Sequence, residues 1–119
     1  MRVPFIGKHV YQMLTHSNGR SLKAIPFSIH DMVFTNDGKY EINCLTAKDQ
    51  DVKTNFRRIG SYSVKENKNN HIVLECNEET GQFIGKYEMT WDMLENRIGK
   101  AHIVSLSDGS CVDGVIEIK

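Results

Sequence analysis

Five histidines, three cysteines and two close pairs of carboxylates are the residues of this 119-residue chain most able to do chemistry. His9, His16, His30, His71 and His102 show neither the helical i, i+4 spacing nor the tight spacing of a zinc motif. Cys44, Cys76 and Cys111 are odd in number and widely spaced, and none falls in a C-x-x-C pair. They read as free thiols, and no metal or cofactor is expected. Ser105, Ser107 and Ser110 lie close to His102, but no Gly-x-Ser-x-Gly elbow is present. Asp49/Asp51 and Glu78/Glu79 fall in stretches read as polar loops, where solvated charge is the default. Acid–base work would require burial to raise a carboxyl pKa, and the pattern gives no sign of burial. No catalytic residue is assigned.

A binding site is the stronger expectation. Tyr40, Tyr62, Tyr87 and Trp91, with Met89, fall on alternating positions read as inward. Apolar walls carrying a few polar tips are the composition of a small-molecule site. Arg58 shares a face with Tyr62 and could orient a ligand carboxylate. His102 alternates with Val104 and Leu106 and is read as inward too. The candidate ligand-binding set is therefore Tyr40, Arg58, Tyr62, Met89, Trp91 and His102. The cluster Lys53, Phe56, Arg57 and Arg58 mixes cations with an aromatic. Lys plus Arg equals Asp plus Glu at 15 each, however, and a nucleic-acid-binding domain normally carries a basic excess.

These side chains need elements to hold them. Asn18-Gly19, Asn36-Asp37-Gly38, Asn67 to Asn70, Thr80-Gly81, Glu95-Asn96 and Asp108-Gly109 are turn signals, because Asn, Asp and Gly tolerate the positive φ of tight hairpins. Between them lie short β-branched and aromatic runs. Eight strands are expected, over 9–16, 27–35, 39–47, 56–65, 71–77, 82–91, 98–106 and 112–118. Several alternate with period two, such as Ile72, Leu74 and Cys76 against His71 and Glu75. One face is then buried and the other wet. Gly60, Gly85 and Gly114 inside strand-like runs suggest bulges or bends. Pro26 marks a strand start, and Lys48 to Asn55 reads as a loop. The fold class is all-β: a single antiparallel up-and-down barrel, or curled meander, of about eight strands over residues 1–119.

Three segments resemble the small lipocalin-like, calycin-type barrels of bacteria. Gly7-Lys8-His9-Val10-Tyr11 stands where those proteins open their first strand with Gly-x-Trp, with His9 at the tryptophan position. Met32 to Ile42, with its Asn36-Asp37-Gly38 turn, is similar to their second hairpin. Ile59 to Val64 followed by His71 to Leu74 is similar to the next. The resemblance implies an interior cavity for a small, mostly apolar molecule.

Length fits one domain, and a chain of this size buries about two-thirds of its unfolded surface without a metal or disulfide staple. No apolar run approaches the ~20 residues that span a bilayer, and the first residues show no signal-peptide h-region. A cytoplasmic location, no membrane partner and no nucleic acid are expected. The function expected is non-catalytic binding of a small apolar or aromatic molecule inside the barrel. The alternative is a protein-interaction module, with a homodimer as its simplest form. Met13, Met32 and Phe34 are its candidate outer face, since runs apolar on both sides mark a strand covered twice.

Overall fold

A computed structural model describes residues 5–18, 29–45, 56–81 and 84–119. Eight antiparallel strands run in chain order: β1 His9–Asn18, β2 Ile29–Phe34, β3 Lys39–Leu45, β4 Phe56–Lys68, β5 His71–Glu78, β6 Gly85–Met93, β7 Ile98–Ser105 and β8 Cys111–Ile118. Each pairs with the next, and β1 pairs back onto β8, closing an up-and-down barrel. The expected curled sheet is therefore a closed one. No helix among the described residues is long and apolar enough to cross a membrane.

Local chemistry explains the hairpins. Asn69 and Asn70 both take positive φ (53° and 64°) between the paired Lys68 and His71. A two-residue hairpin of matching twist needs that at both positions, and asparagine supplies it at low cost. Gly38 (φ 84°) turns β2 into β3, and its amide donates to the Thr35 carbonyl. The ladder shifts register between Leu14 and His16 against β8, and between Val64 and Glu66 against β5. The first shift lies opposite Gly114, at one of the three expected glycines. Gly60 serves a different purpose, described below.

Period-two alternation sends one set of side chains inward, and a closed eight-stranded barrel has just room to pack them or to enclose one small ligand. Toward the Thr35–Lys39 and Asn69–Asn70 turns the interior is filled by aromatic rings. Phe5, fully buried ahead of β1, lies edge-on to Trp91 (ring centroids 4.7 Å apart) and to Phe34 (5.0 Å). Phe34 and Trp91 also meet edge-to-face at 5.5 Å. The Gly7 amide donates to the Phe34 carbonyl at 2.9 Å and pins Phe5 in place. The His9 ring lies outside the barrel, paired with Asp31 at 2.8 Å.

Two expectations about faces are corrected. Met32 and Phe34 are fully buried inside the barrel, so only Met13 of the proposed outer patch is exposed, beside its ladder partner Val115. The run Met32-Val33-Phe34 is apolar on both sides, which hid its parity. Pro26, Lys53, Asp49, Asp51 and Phe83 lie outside the described residues, as do the side chains of His16, Cys44 and Phe56.

Gln12 is fully buried on β1, and neither amide atom has a hydrogen-bond partner among the described residues. Leaving such atoms unpaired costs about 1–3 kcal/mol each. Replacing Gln12 by the similarly shaped methionine is therefore expected to raise the unfolding free energy by about 1–3 kcal/mol, read as a higher midpoint in urea. Phe5→Ala is expected to lower it by about 3–5 kcal/mol, because the ring leaves a cavity between Phe34 and Trp91.

Candidate functional site

The other half of the barrel interior is not filled. A cavity of about 60 Å³ lies there, lined by Leu14, His30, Met32, Phe34, Tyr40, Ile42, Arg58, Cys76, Tyr87, Met89, Ile103 and Val112. These come from seven strands in addition to β1; most lie toward the strand ends that lead to residues 19–28, 46–55, 79–84 and 106–110, while Phe34 and Tyr40 flank the Thr35–Lys39 turn. Exposed Ile84 and Leu106 sit at this same end, linked through the Leu106 amide and the Lys86 carbonyl. The wall is mostly aliphatic and aromatic, with Arg58, His30 and Tyr40 as its polar members. A wider groove of about 440 Å³ runs outside over β2, β3 and β4. It is shallow, and of its charged side chains the half-buried Glu41 and the exposed Arg57 pair with one another.

One polar cluster braces the cavity. Glu78 ends β5, and in the ladder it lies between Gly60 on β4 and Gly85 on β6. Its side chain continues the inward parity of Cys76, and the bare Gly60 leaves room for Tyr40 to reach it. Tyr40 crosses Gly60 from β3, and its hydroxyl donates to Glu78 Oε1 at 2.6 Å. A Cβ on Gly60 would collide with that hydroxyl and with the Asn77 carbonyl, so the position admits only glycine. Arg58 Nη2 donates to the same oxygen at 3.1 Å. The Glu78 side chain is 0% exposed and that of Arg58 14%. The expectation that Glu78 sits solvated in a loop is thus overturned: the strand runs one residue further than expected, and Glu78 continues the inward parity of Ile72, Leu74 and Cys76.

The remaining titratable wall groups are neutral near pH 7. Burial, followed by repulsion from Arg58, lowers the His30 pKa from 6.5 to about 4. Burial, with the Glu78 charge second, pushes the Cys76 thiol up to about 12, so it is no nucleophile. Burial and then the Glu78 hydrogen bond raise the Tyr40 hydroxyl well above its usual range.

Of the expected ligand-binding residues, Tyr40, Arg58 and Met89 line the cavity. Tyr62 points inward but belongs to the packed half, edge-on to Phe34 at 5.1 Å, with its hydroxyl donating to the Thr35 carbonyl. Trp91 is fully buried in the floor plug. His102 is corrected: it is on the outer surface, hydrogen-bonded to its ladder partner Asp113. The inward residues of β7 are Gly99, Ala101, Ile103 and Ser105. Ala101 pairs with Trp91, and a Cβ on Gly99 would touch the Met93 sulfur at 2.8 Å. Large neighbours on β6 demand small side chains opposite, so the less apolar parity of β7 is the inner one. Ser105 consequently faces away from His102, and among the described residues no base stands beside it; its hydroxyl meets that of Ser107 at 2.9 Å. His30 and Glu78 were missed in the sequence. Both were signalled by parity, His30 with Met32 and Phe34, and Glu78 with Cys76.

Among the described residues, no three His, Cys, Asp or Glu side chains gather as a metal site. Comparison of the chain with protein-family models, with characterised proteins and with solved structures finds no match in any of the three.

The histidines make the site testable by pH. His30 is neutral when folded but binds a proton near pH 6.5 when unfolded. The unfolded state therefore holds the extra proton between pH 6.5 and about 4, and stability falls as pH drops through that window. His30→Phe is expected to flatten this part of the stability–pH curve. His71 shifts oppositely, because its hydrogen bond to Asp92 raises its pKa. Proton-detected titration should show His71 releasing its proton above the ordinary histidine range, and Asp92→Asn should bring it back.

Proposed function

We propose that this protein is a non-catalytic small-molecule binding protein of lipocalin-like design, with its ligand held at the hollow end of the barrel. The observation that carries this reading is the division of the interior. One half is closed by Phe5, Phe34 and Trp91, while the other keeps a cavity walled by apolar side chains around a few fixed polar groups. A barrel meant only as a scaffold gains stability by filling such space. At about 60 Å³ the cavity is far smaller than the ~300–1,000 Å³ of sites that enclose drug-sized ligands. It suits a molecule of a few heavy atoms, or the end of a longer one that emerges between the strand ends. The free thiols of Cys76 and Cys111 fit a reducing compartment, and we place the protein in the cytoplasm on that ground.

The interaction-module reading ranks second. Met13 and Val115, 42% and 44% exposed, are ladder partners on the outer face and could meet a second copy. With Met32 and Phe34 inside, the patch is small.

Native mass spectrometry tests the binding reading. The expected result is a subunit carrying a discrete adduct that is lost on denaturation and absent from Val112→Trp, whose ring fills the cavity. A bare subunit, together with no shift of the Met89 methyl resonance under xenon, overturns it.

A further inference from the structure

We infer that the barrel cavity selects ligands whose polar end is uncharged, such as amides or alcohols, and rejects carboxylates of the same shape. This deepens the binding reading above and rests on it. Among the described residues Arg58 is the one cation on the cavity wall, and by itself it would invite an anion. It is not by itself. The fully buried Glu78 carboxylate stands 3.1 Å from Arg58 Nη2, so the charge of the guanidinium is already balanced inside the barrel.

The other wall groups do not disturb that balance. His30 is neutral, held so by burial and by Arg58, and the Cys76 thiol and Tyr40 hydroxyl keep their protons. No further charge is free to compensate an incoming one among the described wall residues. Glu78 is itself short of donors: Oε1 accepts from Tyr40 and Arg58, while Oε2 is buried with no hydrogen-bond partner among the described residues. A ligand carboxylate would have to share Arg58 with this anion. Two buried anions on one cation leave one charge uncompensated in an apolar cavity, where such a charge is strongly disfavoured. A neutral polar end meets no such penalty. Its carbonyl or hydroxyl oxygen can accept from the guanidinium, and the imidazole of His30 can either donate or accept.

Propionamide and propionate provide the probe, since they have the same number of heavy atoms and differ in charge at neutral pH. Titration is followed on the methyl resonances of Met89, Ile103 and Val112 in the full chain, with xenon as the reference for an accessible cavity. Propionamide is expected to shift these methyls, with propionate binding weaker by about tenfold or more. Propionate binding as tightly as propionamide overturns the inference while leaving the binding reading intact. A xenon response without a propionamide response also overturns it. No response to any of the three overturns both. Glu78→Gln removes the compensating anion, and its expected signature is a reversed preference, for propionate. A folded Glu78→Gln that still favours propionamide would falsify the assignment of selectivity to this pair. If that variant does not fold, the comparison in the unaltered chain decides alone.

Discussion

The pairing of β1 with β8 is the constraint on which everything else depends. Val10 to Asn18 runs antiparallel to Cys111 to Ile118, and this single ladder turns a meander into a closed surface. Closure removes both free edges and gives every strand an inner face. Side-chain parity then becomes a matter of inside against outside at each position. It also limits the interior volume, so a large side chain on one strand dictates small ones on the next. Trp91 beside Ala101 is the clearest case, and it decides where His102 points.

The interior is divided by chemistry as well as by packing. At one end three rings meet edge-to-face, an arrangement that adds about 0.5–1.5 kcal/mol per pair beyond the area they bury. At the other end a buried carboxylate, a guanidinium and a tyrosine hydroxyl share one oxygen atom. Such a cluster is a poor source of stability, since desolvating both ions offsets much of their attraction, yet removing either partner alone costs about 3–5 kcal/mol. It is held together because Gly60 leaves the space through which Tyr40 reaches Glu78. Its effect is to hold a polar wall in a fixed place beside an apolar space. Outside, the ladder pairs His71–Asp92 and His102–Asp113 join an imidazole to a carboxylate by a hydrogen bond across neighbouring strands. On an exposed surface such pairs contribute little to stability.

Much of the fold was legible in the amino-acid order. Turn residues at regular intervals and runs such as Tyr40-Glu41-Ile42 imposed strand number and antiparallel sense, because hairpin geometry and pleating are local. The inward parity of Tyr40, Tyr62, Met89 and Trp91 followed from the same period. Legibility failed where the local signal was ambiguous. Met32-Val33-Phe34 is apolar on both faces, Ala101 and Ser105 look less core-like than Val104 and Leu106, and Glu78 resembles a solvated loop residue until Tyr40 and Arg58 are known to be its partners.

The chain by itself determined that there would be an all-β structure of eight short strands with an aromatic inner face, since these depend on residues within a few positions of one another. Tertiary structure alone decided which interior residues plug the barrel and which line its cavity. Those outcomes depend on contacts between strands far apart in sequence: Phe5 against Trp91, Tyr40 across Gly60 to Glu78, and Arg58 onto the same carboxylate. No local period encodes such distances, because the volume each side chain may occupy is set by its partners across the closed sheet.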